Sequence, residues 1–542
     1  MLEKKIYNTL LDLVKIPSIT GSKDEKRMAE QIHNILRRQC YFQHNPHHLV
    51  LYPIENHDLF TVLALWKNPK ETSKTVILLS HYDVVSVDEY GHLKEYAFDP
   101  RLYTEKIKNE LLPEDARKDL DSGEWIFGRG IMDMKCGLAI HIELLDYYAS
   151  RPDLLDCNLL LLSVADEEGN SKGMLGSASA VLSLSQQYHL DYHLVINTEP
   201  FFPLYTGDEK KYIFTGSIGK LLPIFYCAGK ETHVGEPFSG LNPNLIVSEL
   251  HKKLEANPEF CEKWDNFVAP PPTCLKQKDL KDAYSVQIPR GAVAYYNWML
   301  LKDGPGEVMA ILKKICHETA SEILAERKNR LNTFRELSGY PIEPLDWKID
   351  ILTYDEVYQK VLSLHGEAFS IPLNEKISSW MAAGIHDERE LTIKIVDFTY
   401  DYYPEKTPMI IILFAPPFYP STFNDASSAK DLRSLELVEH LIQYANELHG
   451  TALYHCPFFP GLSDNSYFGI SHCSEIISSL KPNMPLWGRF YQLPLEELER
   501  IKTPVVNIGV FGKDAHKYTE RLHLPFSLNT TPSLIMYCLE QI

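Results

Sequence analysis

The sequence predicts a mainly parallel α/β fold with a smaller α+β domain inserted into it. Three observations predict this class: continuous apolar runs, helical patterns between them, and a change to apolar–polar alternation in the middle of the chain. A strand buried on both faces, as in a parallel sheet, is apolar along its whole length, whereas a half-exposed antiparallel strand alternates. The length of 542 residues also favours more than one domain.

The apolar runs predict the strands of the parallel sheet and the helices between them. The strands are expected at 75–80 (TVILLS), 158–165 (NLLLLSVA), 192–197 (YHLVIN) and 503–512 (TPVVNIGVFG), with helices at 136–150 and 174–187. This order is typical of βαβ units, in which helices cover both faces of the sheet.

The middle of the chain has a different pattern. Alternating segments begin at about residue 213 and recur at 284–300, and helical patterns follow at 242–256 and 305–335. We therefore expect a catalytic domain in two parts, 1–212 and 354–542, separated by an inserted domain at 213–353. Two helices, a strand and a loop rich in proline and tyrosine are expected within 354–440.

Composition and charge exclude several classes of partner. The net charge of −19 argues against a nucleic-acid backbone or an anionic membrane as the main partner. No run of about 18 apolar residues predicts a membrane span, and the first residues lack the pattern of a secretory signal. The ten cysteines are scattered and form no C-x-x-C pair, which disfavours a structural zinc ribbon. A cytoplasmic protein that acts on a small molecule is the expectation.

Acidic and histidine side chains follow the ends of the predicted strands, where ligands bind in open α/β sheets. They are His81 and Asp83 after the first run, Asp166, Glu167 and Glu168 after the second, Glu199 after the third, His516 after the last, and Asp133 in the glycine-rich loop 128–137. Each alone has an ordinary explanation, such as a solvated turn or a surface histidine. Together, nitrogen and carboxylate donors without thiolates indicate a catalytic metal site.

These residues form the motifs of a known family. His81-x-Asp83, Gly128-Arg129-Gly130 with Asp133, Asp166–Gly169, Glu199-Pro200 and His516-x-x-x-Glu520 resemble the co-catalytic zinc aminoacylase/carboxypeptidase family of metallopeptidases. Aminoacylases, glutamate carboxypeptidases and succinyl-diaminopimelate desuccinylases are members. The segment 337–361 resembles the arginine-utilisation branch, which implies a role in amino acid metabolism. The resemblance also implies a zinc exopeptidase-like catalytic domain with an inserted lid and dimerisation domain.

The resemblance implies a role for each residue of the motifs. His81, Asp133 and Glu199 would hold one divalent ion, and Asp133, Glu168 and His516 would hold a second, so that Asp133 bridges. The ions would be zinc, with cobalt or manganese as alternatives. Asp83 would orient His81, and Glu167 would be the general base. The peptide bond after Asp133 is expected to be cis.

The resemblance also extends to the inserted domain and to a loop near residue 463. His233 would stabilise the oxyanion of the tetrahedral intermediate, and Asn242 would contact the substrate. Ser463 and Asp464 would line the substrate pocket. An ordinary loop histidine and a plain turn are the alternative interpretations. In dimeric relatives this histidine reaches the partner's site, which implies a homodimer formed through the lid.

One position departs from the family pattern. The lid strand of the family often carries an arginine that binds a substrate carboxylate, and Met299 occupies that position here. Methionine cannot form a charge-assisted hydrogen bond. An acid substrate and its neutral amide should therefore be hydrolysed at similar rates, unless another basic residue such as Arg290 has taken over the contact.

The expected function is hydrolysis of an amide bond in a small N-acyl amino acid or peptide by a metal-activated water. A dipeptidase or carboxypeptidase of the same fold is the alternative within the enzyme class. A catalytically silent binding protein is the alternative outside it, and it would be expected to lack at least one ligand. Neither G-x-G-x-x-G after a strand nor G-x-x-x-x-G-K-[ST] occurs, so nucleotide binding is disfavoured.

Overall fold

The computed structural model describes residues 2–205, 207–343, 348–470 and 473–542. The chain divides into two compact units. Unit 1 consists of Met1–Ile218, Ser421–Ser471 and Leu493–Ile542, and unit 2 consists of Gly219–Pro420 and His472–Gln492. Unit 2 is therefore inserted into unit 1.

The strands follow this division along the chain. Those of unit 1 before the insertion are β1 (Leu49–Pro53), β2 (Phe60–Trp66), β3 (Lys74–His81), β4 (Trp125–Phe127), β5 (Asn158–Val164), β6 (Asp191–Asn197), β7 (Lys211–Phe214) and β8 (Gly216–Ser217). Those of unit 2 are β9 (Gly219–Ala228), β10 (Lys263–Trp264), β11 (Phe267–Val268), β12 (Thr273–Asp279), β13 (Gly291–Leu300), β14 (Asp350–Thr353) and β15 (Met409–Tyr419). Unit 1 then adds β16 (Thr422–Phe423), β17 (Leu453–Cys456), β18 (Val505–Asn507), β19 (Gly512–Lys513) and β20 (Arg521–His523).

The α-helices are distributed in the same way. Unit 1 begins with α1 (Leu2–Val14), α2 (Asp24–Arg37), α3 (Cys40–His44), α4 (Pro100–Ile107), α5 (Glu114–Ser122), α6 (Lys135–Ala149) and α7 (Lys172–Tyr188). Unit 2 has α8 (Pro243–Leu254), α9 (Pro305–Ser338), α10 (Tyr354–His365), α11 (Glu367–Ala382) and α12 (Glu388–Tyr402). The remaining helices are α13 (Ala429–His449), α15 (Leu495–Arg500) and α16 (Thr531–Glu540) in unit 1 and α14 (Cys473–Ser479) in unit 2. Within the described ranges, every helix is too short or too polar to span a bilayer.

Unit 1 is built on an eight-stranded sheet in the order β1-β2-β5-β3-β6-β18-β7-β17. Its centre, β5-β3-β6-β18, is parallel, and antiparallel pairs occur on either side of this centre. All seven residues of β5 are buried, as the continuous apolar run predicts. Because the central strands are parallel, their carboxyl ends lie at one edge of the sheet. The α/β class predicted for this domain is confirmed.

Unit 2 is built on a five-stranded sheet in the order β12-β13-β9-β15-β14. Tyr296 of β13 lies against His251 of α8 on one face, with ring centroids 6.4 Å apart. On the other face the hydroxyl of Tyr226 in β9 donates to Asp397 of α12 at 2.6 Å. Helices therefore cover both faces of this sheet. The predicted α+β character is present, although β13 begins at Gly291 rather than near residue 284.

Unit 2 extends beyond the inserted domain that the sequence predicts at 213–353. The strand expected from "MIIILFAPP" is β15, which pairs with β9 from Met409 onward and so belongs to the sheet of unit 2. Three helices, rather than the two expected within 354–440, connect β14 to β15. Local patterns predict a strand but not which sheet it joins, which explains the difference. In the segment 337–361, residues 344–347 lie outside the described part of the chain.

Candidate metal centre

His81 ends β3 at the carboxyl edge of the sheet in unit 1, and its side chain is buried. Its Nε2 atom lies 3.3 Å from Oδ1 of Asp133 and 3.6 Å from Oε1 of Glu199. Its Nδ1 atom lies 3.0 Å from the backbone carbonyl of Asp83. A carbonyl oxygen only accepts, so Nδ1 donates this bond, and in the neutral imidazole Nε2 carries the free lone pair. The imidazole therefore presents a metal-ligating nitrogen toward two carboxylates.

A second group of donors shares Asp133. Its Oδ2 atom lies 3.2 Å from Nε2 of His516, and that nitrogen lies 2.8 Å from Oε1 of Glu168. Within each of the two triads, His81–Asp133–Glu199 and Asp133–Glu168–His516, one donor atom per residue lies within 4.8 Å of the others. The two oxygens of Asp133 thus face different histidines. This arrangement has the form of two adjacent metal positions joined by one carboxylate.

The carboxylate of Asp83 organises the turn that carries the acidic residues. It accepts from the backbone N–H groups of Glu167 and Glu168, each at 3.1 Å, and from the hydroxyl of Thr20 at 2.9 Å. It also lies 3.6 Å from Nδ1 of His81, whose shorter contact is with the backbone carbonyl of Asp83. The side chain of Asp83 therefore fixes the backbone of Glu167 and Glu168 more directly than it fixes the imidazole.

Asp166 differs from the two acidic residues that follow it. Its backbone is left-handed, with φ of 61°. Its Oδ2 atom accepts from the backbone N–H groups of Asn170 and Lys172, both at 3.2 Å, at the start of α7. A carboxylate in this position stabilises the first turn of a helix. Of the three consecutive acids, one therefore starts a helix and two face the candidate centre.

The glycine-rich loop before α6 is held by a buried ion pair. The guanidinium of Arg129 donates to Glu520 at 2.5 Å and also to Glu89. The other oxygen of Glu520 accepts from the backbone N–H of Met132 at 3.4 Å. The expected cis peptide bond between Asp133 and Met134 is present. Glu520 occurs in the sequence motif without a role there, and the structure shows that it positions the loop that carries Asp133.

The loop that carries His516 is held by a second cluster that sequence reasoning did not find. The buried guanidinium of Arg521 pairs with Asp514 on the same loop and with Asp115 and Asp119 on α5, the last two at 2.7 Å. The hydroxyl of Thr519 donates to Asp514 at 2.8 Å. The side chain of His516 is itself 47% exposed, so the position of its loop depends on this cluster. The signal of this cluster in the sequence is Arg521, which directly follows Glu520, the last residue of the predicted motif.

Glu199 and the loop at residue 463 lie at the same edge. The side-chain amide of Asn507 donates to the backbone carbonyl of Glu199 at 3.0 Å. Ser463 is buried, and its hydroxyl oxygen accepts from the side chain of Asn197 at 3.1 Å. Burial raises the pKa of Asp464 to about 7, and the neighbouring charges of Asp83 and Glu199 contribute to the rise. Asp464 is therefore close to the candidate centre, whereas the hydroxyl of Ser463 is engaged in a buried contact.

The electrostatics of this edge favour a cation. Burial raises the pKa of Glu199 to about 7 and that of Glu167 well above its ordinary value. Hydrogen bonds to Asp133 and Glu168 raise the pKa of His516 to about 10, which reflects how strongly the two carboxylates attract positive charge. Clustered carboxylates with too few cationic partners are costly to bury. Nitrogen and oxygen donors without thiolates suit zinc, cobalt or manganese, so these residues fit divalent metal ions.

The two residues predicted from the lid motif lie in unit 2. His233 is exposed, and its Nδ1 atom accepts from the backbone N–H of Gly235 at 3.1 Å. The side-chain oxygen of Asn242 accepts from the backbone N–H of Asn244 at 3.0 Å and caps α8. The structure therefore gives Asn242 a local structural contact and leaves the imidazole of His233 accessible.

Residues 77–499 match the model of peptidase family M20/M25/M40, and the chain belongs to this family. The chain is 39% identical over 538 residues to the uncharacterized protein YqjN of Bacillus subtilis (strain 168), covering 98% of this chain and 95% of that protein. It is 31% identical over 530 residues to protein RocB of the same organism, covering 96% of this chain and 92% of that protein. The expected resemblance to this family and to its arginine-utilisation branch is thereby confirmed.

A solved structure supports the fold assignment. The M20 family metallo-carboxypeptidase Sso-CP2 from Sulfolobus solfataricus superposes with a TM-score of 0.54 at 14% sequence identity, covering 99% of each chain. At this identity the likeness concerns the fold alone. Family membership makes the chain a member of a hydrolytic class, and the two triads are its candidate metal centre.

Proposed function

We propose that this protein is a metal-dependent hydrolase that cleaves an amide bond of a small N-acyl amino acid or peptide. The observation that carries the proposal is the pair of donor triads that share Asp133 at the carboxyl edge of the sheet. Family membership supports the reaction class, because the family is one of peptidases. No predicted ligand is missing from the triads, which disfavours a catalytically silent binding protein.

Two divalent ions, of which zinc is the first candidate, would be held by His81, Asp133 and Glu199 and by Asp133, Glu168 and His516. Bound ions of this kind polarise a carbonyl group and lower the pKa of a coordinated water. The buried Nδ1–H bond from His81 to the carbonyl of Asp83 keeps the imidazole in the tautomer that can ligate. The protein's contribution is therefore a rigid set of oxygen and nitrogen donors.

Glu167 is the proposed general base. Its carboxylate belongs to a group with His81 and Glu168 whose donor atoms lie within 4.8 Å of one another. Burial raises its pKa well above the ordinary value, so that it accepts a proton readily. Glu167 would take a proton from the attacking water and pass it to the leaving nitrogen. Asp83 holds the backbone of Glu167 in place for this transfer.

The remaining assignments rest on the family motifs. His233, with its accessible imidazole, would donate a hydrogen bond to the oxyanion of the tetrahedral intermediate. Asn242, Ser463 and Asp464 would contact the substrate. We further propose that the protein is cytoplasmic, forms a homodimer and acts on a small molecule.

The proposal is tested by metal analysis of the wild-type protein and of Asp133→Ala. Purified wild-type protein should contain up to two divalent ions per chain and lose its activity on chelation. Asp133→Ala should lose both ions, because the two oxygens of Asp133 face both triads. Asp156→Ala is the matched control, since Asp156 forms an exposed ion pair with Lys70. If Asp133→Ala retained two tightly bound ions, the bridging role would be wrong.

A hydrolysis screen tests the reaction itself. Metal-loaded protein is incubated with a panel of N-acyl amino acids and dipeptides, and release of the free amine is measured. Hydrolysis of an N-acyl amino acid supports a deacylase, and hydrolysis of dipeptides alone supports the peptidase alternative. If chelation removed no activity against any hydrolysed compound, a metal-independent reaction would replace the proposal.

A further inference from the structure

The loop between α1 and α2 contacts the segment that follows β3 and carries Asp83. Ile19 forms a parallel bridge with Val84, and the backbone N–H of Thr20 donates to the carbonyl of Val84 at 3.0 Å. The hydroxyl of Thr20 donates to the carboxylate of Asp83 at 2.9 Å. All of these residues belong to unit 1. The loop therefore supports the side chain that fixes the turn of the acidic residues.

Glu25 lies in the first turn of α2, and its two carboxylate oxygens accept from two separate segments. Its Oε2 atom accepts from the backbone N–H of Gly21 at 2.6 Å, and its Oε1 atom accepts from the backbone N–H of Asp166 at 3.0 Å. The side chain of Glu25 is fully buried. One buried carboxylate thus joins the loop before α2 to the acidic turn after β5.

The acidic turn donates three successive backbone N–H groups to buried carboxylates. The N–H of Asp166 donates to Glu25, and those of Glu167 and Glu168 donate to Asp83. The backbone of Asp166 has a φ of 61°, which is uncommon for a residue other than glycine. These three bonds therefore fix the direction in which the side chains of residues 167 and 168 leave the turn.

The carboxylate of Glu25 is costly to bury. Both of its hydrogen bonds come from neutral backbone groups rather than from a cation. Burial raises the pKa of Glu25 to about 8, and the charge of Asp83 contributes to the rise. An ionised group in such a place destabilises the fold unless it is paired. A buried, perturbed carboxylate beside a candidate centre points to a functional role.

We propose that Glu25, supported by Thr20, is a positioning residue that fixes the turn carrying the proposed base and one proposed metal ligand. This inference rests on the proposed function, in which Glu167 is the base and Glu168 is the ligand. Glu25 acts through the backbone of Asp166 and touches neither substrate nor metal. A residue that orients a ligand in this way typically contributes about 10–100-fold to metal affinity or activity.

The first test is titration of metal-free Glu25→Gln protein with Zn²⁺. Glutamine keeps the shape of glutamate, but its amide offers one acceptor oxygen instead of two. Of the two binding steps expected for the wild type, the step that uses Glu168 should weaken about 10–100-fold. The step that uses His81 and Glu199 should change little. The Tm should stay close to that of the wild type, because loss of a hydrogen bond is offset by removal of a buried charge.

Two further variants complete this test. Glu143→Gln is the matched control, because Glu143 is buried, accepts from the hydroxyl of Thr9 at 2.5 Å and lies about 12 Å along α6 from its start. It should bind Zn²⁺ like the wild type. Thr20→Val removes the hydroxyl that donates to Asp83, and it should weaken the same step as Glu25→Gln to a smaller extent. It also serves if Glu25→Gln does not fold.

The outcomes separate positioning from a merely structural role. With a hydrolysed compound, kcat of metal-saturated Glu25→Gln should fall about tenfold or more while KM changes little. If both binding steps weakened while the Tm fell in parallel, the role of Glu25 would be structural and the proposal would be wrong. Unchanged zinc binding in each of the two variants that folds would also overturn it.

Hydrogen exchange tests the turn without metal and without turnover. Peptides that cover residues 158–173 are followed by mass spectrometry in metal-free, full-length protein. The amides of residues 166–168 should exchange faster in Glu25→Gln than in the wild type, and at the wild-type rate in Glu143→Gln. Equal exchange in Glu25→Gln and the wild type would reject the proposal. If the wild type binds no zinc and hydrolyses no compound, but exchange rises in Glu25→Gln, the proposed function fails while the role of Glu25 in holding the turn stands.

Discussion

At the scale of single residues, the candidate centre depends on a division of roles among neighbouring acids. Asp166 starts α7, and Asp83 fixes the backbone of the turn. Glu167 and Glu168 are thereby left to face the histidines. The sequence predicted most of the residues at the centre because they follow apolar runs, and it predicted Asp133 because this residue lies in a glycine-rich loop. It could not predict the pairs Arg129–Glu520 and Arg521–Asp119, because no local pattern names the partner of a buried arginine.

Replacing Glu167 and Glu168 in turn should distinguish the proposed general base from a proposed metal ligand. Glu167→Gln should keep the bound metal and lose about 10²–10⁴-fold in kcat, which is the usual contribution of a general base. Glu168→Gln should also lower the metal content, because Glu168 lies 2.8 Å from the Nε2 atom of His516. Activity and metal content are measured on the same preparations. Normal turnover by fully metal-loaded Glu167→Gln would assign the base to another residue.

The buried His141 should make unit 1 sensitive to acid. Burial lowers its pKa from 6.5 to about 3, and its Nε2 atom lies 2.8 Å from the hydroxyl of Thr198, next to Glu199. Below pH 6.5 the unfolded chain binds a proton at this histidine that the folded chain does not. The free energy of unfolding therefore falls as the pH falls from 6.5 toward 3, by about 1.4 kcal/mol per pH unit within that window.

The measurement is the change in Tm between pH 7 and pH 5.5 for the wild type and for His141→Gln. Glutamine does not titrate, so the acid-induced loss of stability should be smaller in the variant by about 1 kcal/mol. His92→Gln is a suitable control, because His92 is exposed and pairs with Glu110 at the surface. An equal loss in all three proteins would show that His141 does not set the acid sensitivity.

At the scale of elements, the two sheets were predicted with different success. Three parallel strands of unit 1, β3, β5 and β6, were predicted close to their observed bounds, because burial on both faces leaves an unbroken apolar run. The fourth, β18, is Val505–Asn507 and is much shorter than the apolar run 503–512 that predicted it. The boundary of unit 2 along the chain was not predicted, because the apolar run that forms β15 has the same character as a strand of unit 1. Which sheet such a strand joins is decided by long-range pairing with β9.

The edge strand of unit 2 is the element to test for dimer formation. β12 lies at the end of the sheet and, among the described strands, pairs only with β13. An unpaired strand edge can bind the same edge of a second copy. Leu275 in this strand is 52% exposed. Leu275→Glu should weaken a dimer through this edge by placing like charges opposite each other.

Light scattering after size-exclusion chromatography measures the effect. The wild type should have about twice the chain mass of 62.2 kDa, and Leu275→Glu should move toward a single chain. Leu364→Glu is the matched control, since Leu364 on α10 is 56% exposed and lies away from the edge strand. A wild-type mass of one chain would reject the homodimer, and an unchanged mass in Leu275→Glu would reject this edge as the interface.

At the scale of the whole molecule, family membership and fold were predictable because the motif residues span most of the chain. The first candidate ligand is His81 and the last is His516, and the family match covers residues 77–499. Substrate preference was not predictable in the same way. A cross-strand register, such as that of Met299 opposite Lys220, is visible only after the sheet is formed.

The insertion of unit 2 also has a consequence for synthesis of the chain on the ribosome. β6 pairs with β18 through Val195 and Val505, so all of β9 to β15 is made between the two partners. At about 5–20 residues per second, the nascent sheet waits roughly 15–60 s for this strand. During that interval the edge of β6 that later pairs with β18 has no partner strand, and a strand of another nascent chain can pair with it. The yield of active protein should therefore depend on translation speed and on chaperone supply.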